Sequence, residues 1–312
     1  MALKQVIEIY ELLDSPKANG ERVASVLKQR GIHDVEVVPI QGEKGKTDSI
    51  KVWIRGSKGK KSGGNAPTLG VIGRLGGVGA RPQMIGLVSD ADGAIAALSV
   101  ALKLADMKEQ GDVLPGDVIV ATHVCPDAPT TPHDPVPFMG SPVEMKSLND
   151  HEVDPQMDAI LSIDTTKGNR IMNQRGFAIS PTVKEGYILK VSEDLLRIME
   201  ITTGRRASVF AITTQDITPY GNDLFHLNSI MQPSVATRAP VVGLAITTES
   251  IVPGCATGAS HVTDIEEAVR FSIEVAKHFV AGQCRFYDGQ EFKRIVALYG
   301  PMNHLQTLGG KR

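Results

Sequence analysis

The chain has little cysteine, few aromatic residues and almost no net charge, and each shortage excludes a class of protein. Its three cysteines, Cys125, Cys255 and Cys284, are odd in number and far apart, so a disulfide framework is not expected. Aromatic residues make up only 4% of the 312 residues and the formal net charge is -2, so we expect no nucleic-acid partner. No apolar run reaches about 18 residues, so no segment is expected to span a membrane.

The overall composition is that of an ordinary globular protein, with 42% hydrophobic and 22% charged residues. Acidic residues at Glu8, Glu11 and Asp14 interrupt the apolar N-terminal segment, a pattern that a secretory signal does not have. A cytoplasmic location is therefore predicted. We expect a single domain over residues 1–282, with residues 283–312 as a C-terminal appendage.

From Thr68 onward, apolar strand-like runs alternate with helical periodicity, which favours a largely parallel sheet covered on both faces. The pattern predicts helices over 3–13, 20–30, 94–107, 192–201, 223–231 and 264–281. It predicts strands over 35–39, 49–54, 68–72, 118–122, 159–163, 187–191, 208–213 and 241–247.

Polar side chains follow several of the predicted strands, at the edge of a parallel sheet where ligands and catalytic groups gather. One strand ends in His123, Cys125 and Asp127, and another ends in Asp164. Asp90 lies in an acidic turn that opens the Ala94 helix. A further pair, Cys255 and His261, precedes the last predicted helix. Carboxylates and imidazoles on separate strand ends are how a hydrolytic metal site is assembled.

Glycine is abundant between Gly73 and Pro82, but the spacing GxGxxG is absent, so a dinucleotide site is not expected. The two arginines of this stretch, Arg74 and Arg81, have the planar guanidinium that suits a substrate carboxylate. Asp223, beside Gly221 and Asn222, is a further candidate for contact with substrate.

The order of these motifs resembles the co-catalytic zinc aminopeptidases, nearest the glutamyl and tetrahedral aminopeptidases. The resembling segments are IEIYELLDSPKANGERVASVL, SIKVWIRGSKGK, the acidic turn SDADG, LSIDTT and the tripeptide Gly221-Asn222-Asp223. The chain is also similar to the domain-of-unknown-function 1177 family. The resemblance implies a three-layer α/β/α fold with a central mixed, mostly parallel sheet.

For the site, the resemblance implies a divalent metal, zinc for instance, held by Asp90, Asp164 and His261, with Cys125 as a soft ligand. Asp127 or His123 would deprotonate the metal-bound water. The substrate would be a small molecule or short peptide with an amide bond, and the protein would form a homo-oligomer.

Two motifs depart from the aminopeptidase pattern. Arg74-Leu75-Gly76 stands where those enzymes have His-x-Asp, and HVCPDAP stands where they have a catalytic Glu-Glu pair. Two alternatives therefore stay open. One is a non-catalytic ligand-binding descendant, with Arg74 in place of a metal. The other is a metal-free enzyme with Cys125 as nucleophile and His123 or His133 nearby.

Overall fold

A computed structural model describes residues 1–74, 76–81, 86–134, 136–167, 169–251 and 259–307, so Cys255 lies outside the described residues. The helices are α1 (Leu3–Leu13), α2 (Gly20–Gln29), α3 (Asp92–Glu109), α4 (Met145–Glu152), α5 (Glu193–Thr203), α6 (Val262–Val280) and α7 (Gly289–Tyr299). The strands are β1 (Val35–Gly42), β2 (Gly45–Ile54), β3 (Leu69–Gly73), β4 (Val118–Val124), β5 (Thr130–Thr131), β6 (Phe138–Met139), β7 (Ala159–Thr166), β8 (Gly176–Ile179), β9 (Val183–Lys184), β10 (Tyr187–Ile188) and β11 (Val241–Thr247).

One mixed sheet organises the chain, in the order β1-β2-β4-β3-β7-β11-β9-β10, with β8 also paired to β11. Its centre, β4-β3-β7-β11, is parallel, and the strands outside this centre pair antiparallel. The central strands are buried along their length and rich in valine and isoleucine, as expected for a parallel sheet covered on both faces. The predicted α/β fold with a mixed, mostly parallel central sheet is confirmed.

Different elements pack on the two faces of the sheet. Helices α1, α3, α5 and α6 pack over one face and bury the larger apolar cluster. The opposite face is covered by α4, by the 3-10 helix Ser229–Ala236 and by loops, which enclose a second cluster. The buried residues Cys284 and Phe286 join the larger cluster, although they follow the predicted boundary at 282.

Helix α3 approaches the ends of two central strands because glycines remove the side chains between them. A Cβ on Gly73 would lie 2.4 Å from the Gly93 carbonyl oxygen, and a Cβ on Gly93 would lie 2.5 Å from that of Arg74. Only glycine permits this distance of approach. The glycines near residue 73 therefore serve helix–strand packing, which brings the start of α3 to the carboxyl edge of the sheet.

Two predicted elements are wrong. Residues 208–213 form no strand, and only Val209 makes an isolated bridge, to Ile179. Residues 223–231 are not an α-helix: a loop runs to Asn228 and the 3-10 helix follows it. Pro233 inside that 3-10 helix has no backbone N–H and disfavours a regular α-helix there. The strand predicted over 187–191 is shortened to β10. Among the described residues, no helix combines the length and apolar character that crossing a bilayer requires.

Candidate functional site

Three predicted site residues lie side by side at the ends of neighbouring parallel strands. Ile72 of β3 pairs with Ala121 of β4 on one side and with Ser162 of β7 on the other. Two residues further on, the same register sets Arg74 between His123 and Asp164, and the Arg74 N–H donates to the Ile163 carbonyl at 2.7 Å. We call His123, Arg74 and Asp164 the strand-end row. Because side chains alternate along a strand, all three belong to the face that α4 and the 3-10 helix cover.

Arg74 is fully buried and forms an ion pair with Glu152, the last residue of α4, which is also fully buried. The other oxygen of Glu152 lies 2.6 Å from Nδ1 of His123. Burial alone would raise the pKa of Glu152, but the charge of Arg74 and the hydrogen bonds from Arg74 and His123 hold it below its ordinary value. Glu152 therefore stays ionised and fixes both basic side chains of the row.

His123 is fully engaged in this arrangement. Its Nε2 accepts the Gly76 N–H at 3.0 Å, so the proton of the neutral ring is on Nδ1, facing Glu152. Neither ring nitrogen is left to take a proton from a substrate or water. The contacts give His123 a positioning role, whereas the sequence suggested a general base.

Asp164 is the carboxylate of the row, and it is 2% exposed. Its Oδ1 accepts the Thr165 N–H at 2.7 Å, and its Oδ2 accepts the Ser229 hydroxyl at 3.1 Å. Burial raises the pKa of Asp164 to about 6, although the Thr165 N–H and the charge of Arg74 oppose the rise. A carboxyl group with a pKa near neutrality can both accept and return a proton under ordinary conditions.

Ser229 and Tyr220 are neighbours of Asp164 that have access to solvent. Ser229 is partly buried and begins the 3-10 helix, and Tyr220 is 40% exposed. Burial and the charge of Asp164 raise the pKa of the Tyr220 phenol, and the Ser229 hydroxyl opposes the rise. Two partly exposed hydroxyl groups therefore lie beside the buried carboxyl group of Asp164.

A second polar group lies at the start of α3. Asp92 is fully buried, forms an ion pair with Lys167 just beyond β7, and accepts the Ser260 hydroxyl at 2.5 Å. Burial raises the pKa of Asp92 against the opposing charge of Lys167. We call Asp92, Lys167 and Ser260 the helix-entrance group.

Within the described residues, the other predicted metal ligands form no cluster of three or more with Asp164 that could hold a metal ion. Cys125 is buried, and burial raises the pKa of its thiol to about 11, so it stays protonated at neutral pH. Asp90 is buried in the short 3-10 turn before α3, close to Gly77. His261 is exposed and immediately precedes α6.

The remaining predicted residues face solvent or make other contacts. Asp127 is exposed. Arg81 donates to the carbonyl oxygens of Pro126 and Asp14, at 3.2 and 3.3 Å. Asp223 is exposed and adopts a left-handed backbone with φ of 57°, which is uncommon for a residue other than glycine.

The side chains of the described residues do not fit a divalent metal. Within these ranges, no group of three or more His, Cys, Asp or Glu side chains could hold a metal ion. Two of the buried carboxylates, Glu152 and Asp92, are already paired with Arg74 and Lys167. Arg74 and Lys167 thus place fixed positive charges against these two carboxylates.

The sequence predicted the three residues of the strand-end row as site residues, but it did not predict the side chains that bind them or the nearby lysine. Glu152 ends a helix without a strong periodic signal, and Lys167 is one residue beyond its strand. Ser229 fell inside a segment predicted as α-helix. The signal that could have found them is charge balance, because a buried arginine at a strand end requires a buried acid.

Comparison with solved structures finds a similar fold in the LapA aminopeptidase of Legionella pneumophila. The TM-score is 0.51, with 13% sequence identity over 88% of this chain and 72% of that one. At this identity the likeness concerns the fold alone. No curated protein matches the sequence. The sequence profile of the family described as "Protein of unknown function (DUF1177)" matches residues 38–309, and the chain therefore belongs to that family, with a peptidase-like α/β fold.

Proposed function

We propose that this chain is a metal-independent hydrolase of an amide bond in a small peptide or amino-acid derivative. Ser229 is its nucleophile and Asp164 is the base. The observation that carries the proposal is the hydrogen bond from the Ser229 hydroxyl to Asp164 Oδ2, 3.1 Å long, at the carboxyl end of a central parallel strand. A nucleophile within reach of a base that a third group orients is typical of covalent catalysis, and the Thr165 N–H orients this base.

The chemistry is acyl transfer in two halves. Ser229 Oγ attacks the carbonyl carbon, and its proton passes to Asp164 Oδ2. The C–N bond then breaks, and the leaving amine takes that proton from Asp164. Water next attacks the resulting ester, gives a proton to Asp164, and Ser229 recovers it as the acid product leaves. The positive charge of Arg74, held by Glu152, acts on Asp164 throughout.

Ser229 is preferred to Cys125 because of access and charge. Ser229 is partly exposed and already donates to a carboxylate, whereas Cys125 is buried and its thiol has a pKa of about 11. A zinc-dependent reaction stays a prediction from the sequence, as do the cytoplasmic location and the homo-oligomer, and metal analysis tests the first of these.

A fluorophosphonate probe with intact-mass measurement tests the proposal directly. Ser229 Oγ would form a bond to phosphorus, fluoride would leave, and the proton would pass to Asp164. We expect one adduct per chain, mapped to Ser229, absent in Ser229→Ala and slowed in Asp164→Asn by about 10²-fold or more.

The matched control is Ser260→Ala. Ser260 also donates to a buried carboxylate, but that carboxylate is neutralised by Lys167. Labelling should persist in this variant. An adduct that survives Ser229→Ala, or the lack of both an adduct and turnover of p-nitroanilide and p-nitrophenyl ester substrates, would refute the proposal.

A second candidate is a binding protein without catalysis. It is favoured by the near-complete burial of Arg74 and Asp164, at 0% and 2% exposure. This reading predicts that amino acids and dipeptide amides bind in calorimetry but are recovered unchanged, and that the probe leaves Ser229 unmodified.

A further inference from the structure

The loop Tyr220–Asn228 carries large apolar side chains that face solvent. Leu224, Phe225 and Leu227 are 47%, 75% and 52% exposed, within four consecutive positions. Single exposed apolar residues are normal, but a cluster of them on an ordered surface typically marks a binding site. We call this segment the apolar loop.

The apolar loop is held by hydrogen bonds, so its exposed side chains are presented in a fixed arrangement. Asp216 is fully buried, and its Oδ1 accepts the N–H groups of Leu227 and Asn228 at 2.7 and 2.9 Å. Its Oδ2 accepts the Thr213 N–H at 2.7 Å. A buried carboxylate that takes three backbone N–H groups fixes the loop from beneath.

A histidine inside the loop adds a second attachment. His226 Nδ1 lies 3.0 Å from the Leu224 carbonyl oxygen, and its Nε2 lies 3.0 Å from that of Thr218. The ring also stacks on Tyr220, with centroids 4.3 Å apart. The backbone next to the exposed side chains is therefore constrained on both sides.

Both ends of the apolar loop meet at the proposed catalytic pair. Ser229 directly follows one end and donates to Asp164, and Tyr220 at the other end lies close enough for the charge of Asp164 and the Ser229 hydroxyl to shift the pKa of its phenol. A substrate whose carbonyl carbon lies against Ser229 Oγ would have its neighbouring groups beside this loop. Binding sites commonly combine a few fixed polar groups with an apolar wall.

We infer that the apolar loop binds an apolar side chain of the substrate, on the acyl side of the bond that is cleaved. The inference rests on the proposed function and names its substrate class, which is derivatives of leucine- or phenylalanine-like amino acids. Phe225 and Leu227 are the specificity-determining residues.

The test compares substrates that differ only in the acyl side chain. The p-nitroanilides of leucine, phenylalanine, alanine and glycine, free and N-acetylated, are assayed with the full-length chain and with the double variant Phe225→Ala/Leu227→Ala. We expect wild-type kcat/KM to be higher for leucine and phenylalanine than for glycine. The double variant should lose about tenfold or more of that preference, through KM, with the glycine substrate unchanged.

Ile201→Ala is the matched control, because Ile201 is 74% exposed and belongs to the last turn of α5. All three replaced side chains are more than half exposed, so the thermal midpoints should match that of the wild type. Unchanged preference in the double variant, with turnover intact, overturns the inference but leaves the proposed function standing. A smaller oligomeric state in the double variant than in the wild type, with the preference intact, overturns the inference as well and assigns the loop to contact between copies of the chain. If the wild type neither labels nor turns over any substrate, the proposed function fails and this inference fails with it.

Discussion

Replacing Asp164 by asparagine should stabilise the protein at neutral and alkaline pH while it abolishes catalysis. The asparagine side chain has almost the same shape, and its oxygen can still accept the Thr165 N–H that now binds Asp164 at 2.7 Å. It removes the negative charge and the ability to take a proton, and it replaces the oxygen that accepts the Ser229 hydroxyl by an NH2 group that can only donate. The lost hydrogen bond does not vary with pH, so the pH-dependent part of the stability change isolates the free energy of holding a buried charge.

The magnitude follows from the pKa shift. The pKa of Asp164 is raised from an ordinary 3.8 to about 6 in the folded chain. Each pKa unit corresponds to about 1.4 kcal/mol, so the ionised carboxylate costs the fold about 3 kcal/mol above pH 7. This pKa shift already includes the charge of Arg74, which opposes the rise caused by burial.

The sign is set by which state binds more protons. Between about pH 4 and pH 6 the folded chain keeps the Asp164 proton while the unfolded chain has released it, so wild-type stability falls as pH rises through this window. Asparagine does not titrate. The stability gain of Asp164→Asn should therefore be small near pH 4 and approach about 3 kcal/mol at pH 8.

Urea denaturation at fixed ionic strength, from pH 4 to pH 8, measures this difference, with fluorescence of the single tryptophan, Trp53, as one signal and circular dichroism as another. Asp134→Asn is the control, because Asp134 is exposed and its removal should leave the pH profile unchanged. A difference that does not vary with pH would mean that Asp164 does not titrate in this range. A variant less stable than wild type at pH 8 would mean that a cation compensates the carboxylate, and the reasoning would be refuted.

Four further predictions concern the ion pairs, the thiol and metal. Lys167→Met should cost about 3–5 kcal/mol in urea denaturation because it leaves Asp92 buried and unpaired, and the double variant with Asp92→Asn should recover most of the loss. Glu152→Gln should cost a similar amount in the same assay, since it leaves Arg74 buried without its anion. Cys125→Ala should keep fluorophosphonate labelling, and iodoacetamide at pH 7 should leave the folded wild type active, because the pKa of the thiol is about 11. Neither EDTA nor added zinc should move the thermal midpoint of the wild type, and a rise with zinc that Asp164→Asn removes would restore the metal hypothesis.

The residues of the strand-end row could be predicted because the signal for each of them lies in the adjacent residues of the sequence. A buried apolar run followed by a polar residue marks the end of a strand, and neighbouring parallel strands end at the same edge of the sheet. His123, Arg74 and Asp164 each satisfied that rule, and the register aligns them. The sequence could not predict the partner of each side chain, because the partners come from segments that are far away in the chain.

Ser229 shows why the conformation of an irregular segment is difficult to predict from the sequence. The apolar residues near it have helical spacing, which predicted a helix over 223–231. In the structure, Asp216 captures the N–H groups of Leu227 and Asn228, and Gly221 and Asp223 adopt left-handed backbone conformations. A buried carboxylate eleven residues upstream thus decides the local conformation, and no window of the pattern contains that information.

The predicted metal site is a second case in which the sequence pattern could not identify the partner of a charged residue. Aspartate and histidine residues at strand ends have the same spacing whether they hold a dication or balance a cation of the chain. The difference lies in where Arg74 and Lys167 project, and both lie buried against carboxylates. Since an unpaired buried charge is costly, two buried cations require two buried anions, and Glu152 and Asp92 are thereby committed. Among the buried acids that the structure describes, Asp164 combines a pKa of about 6 with a hydrogen bond from the partly exposed hydroxyl of Ser229. With Glu152 and Asp92 committed to Arg74 and Lys167, Asp164 is the carboxylate to which, together with Ser229, we assign the proposed reaction.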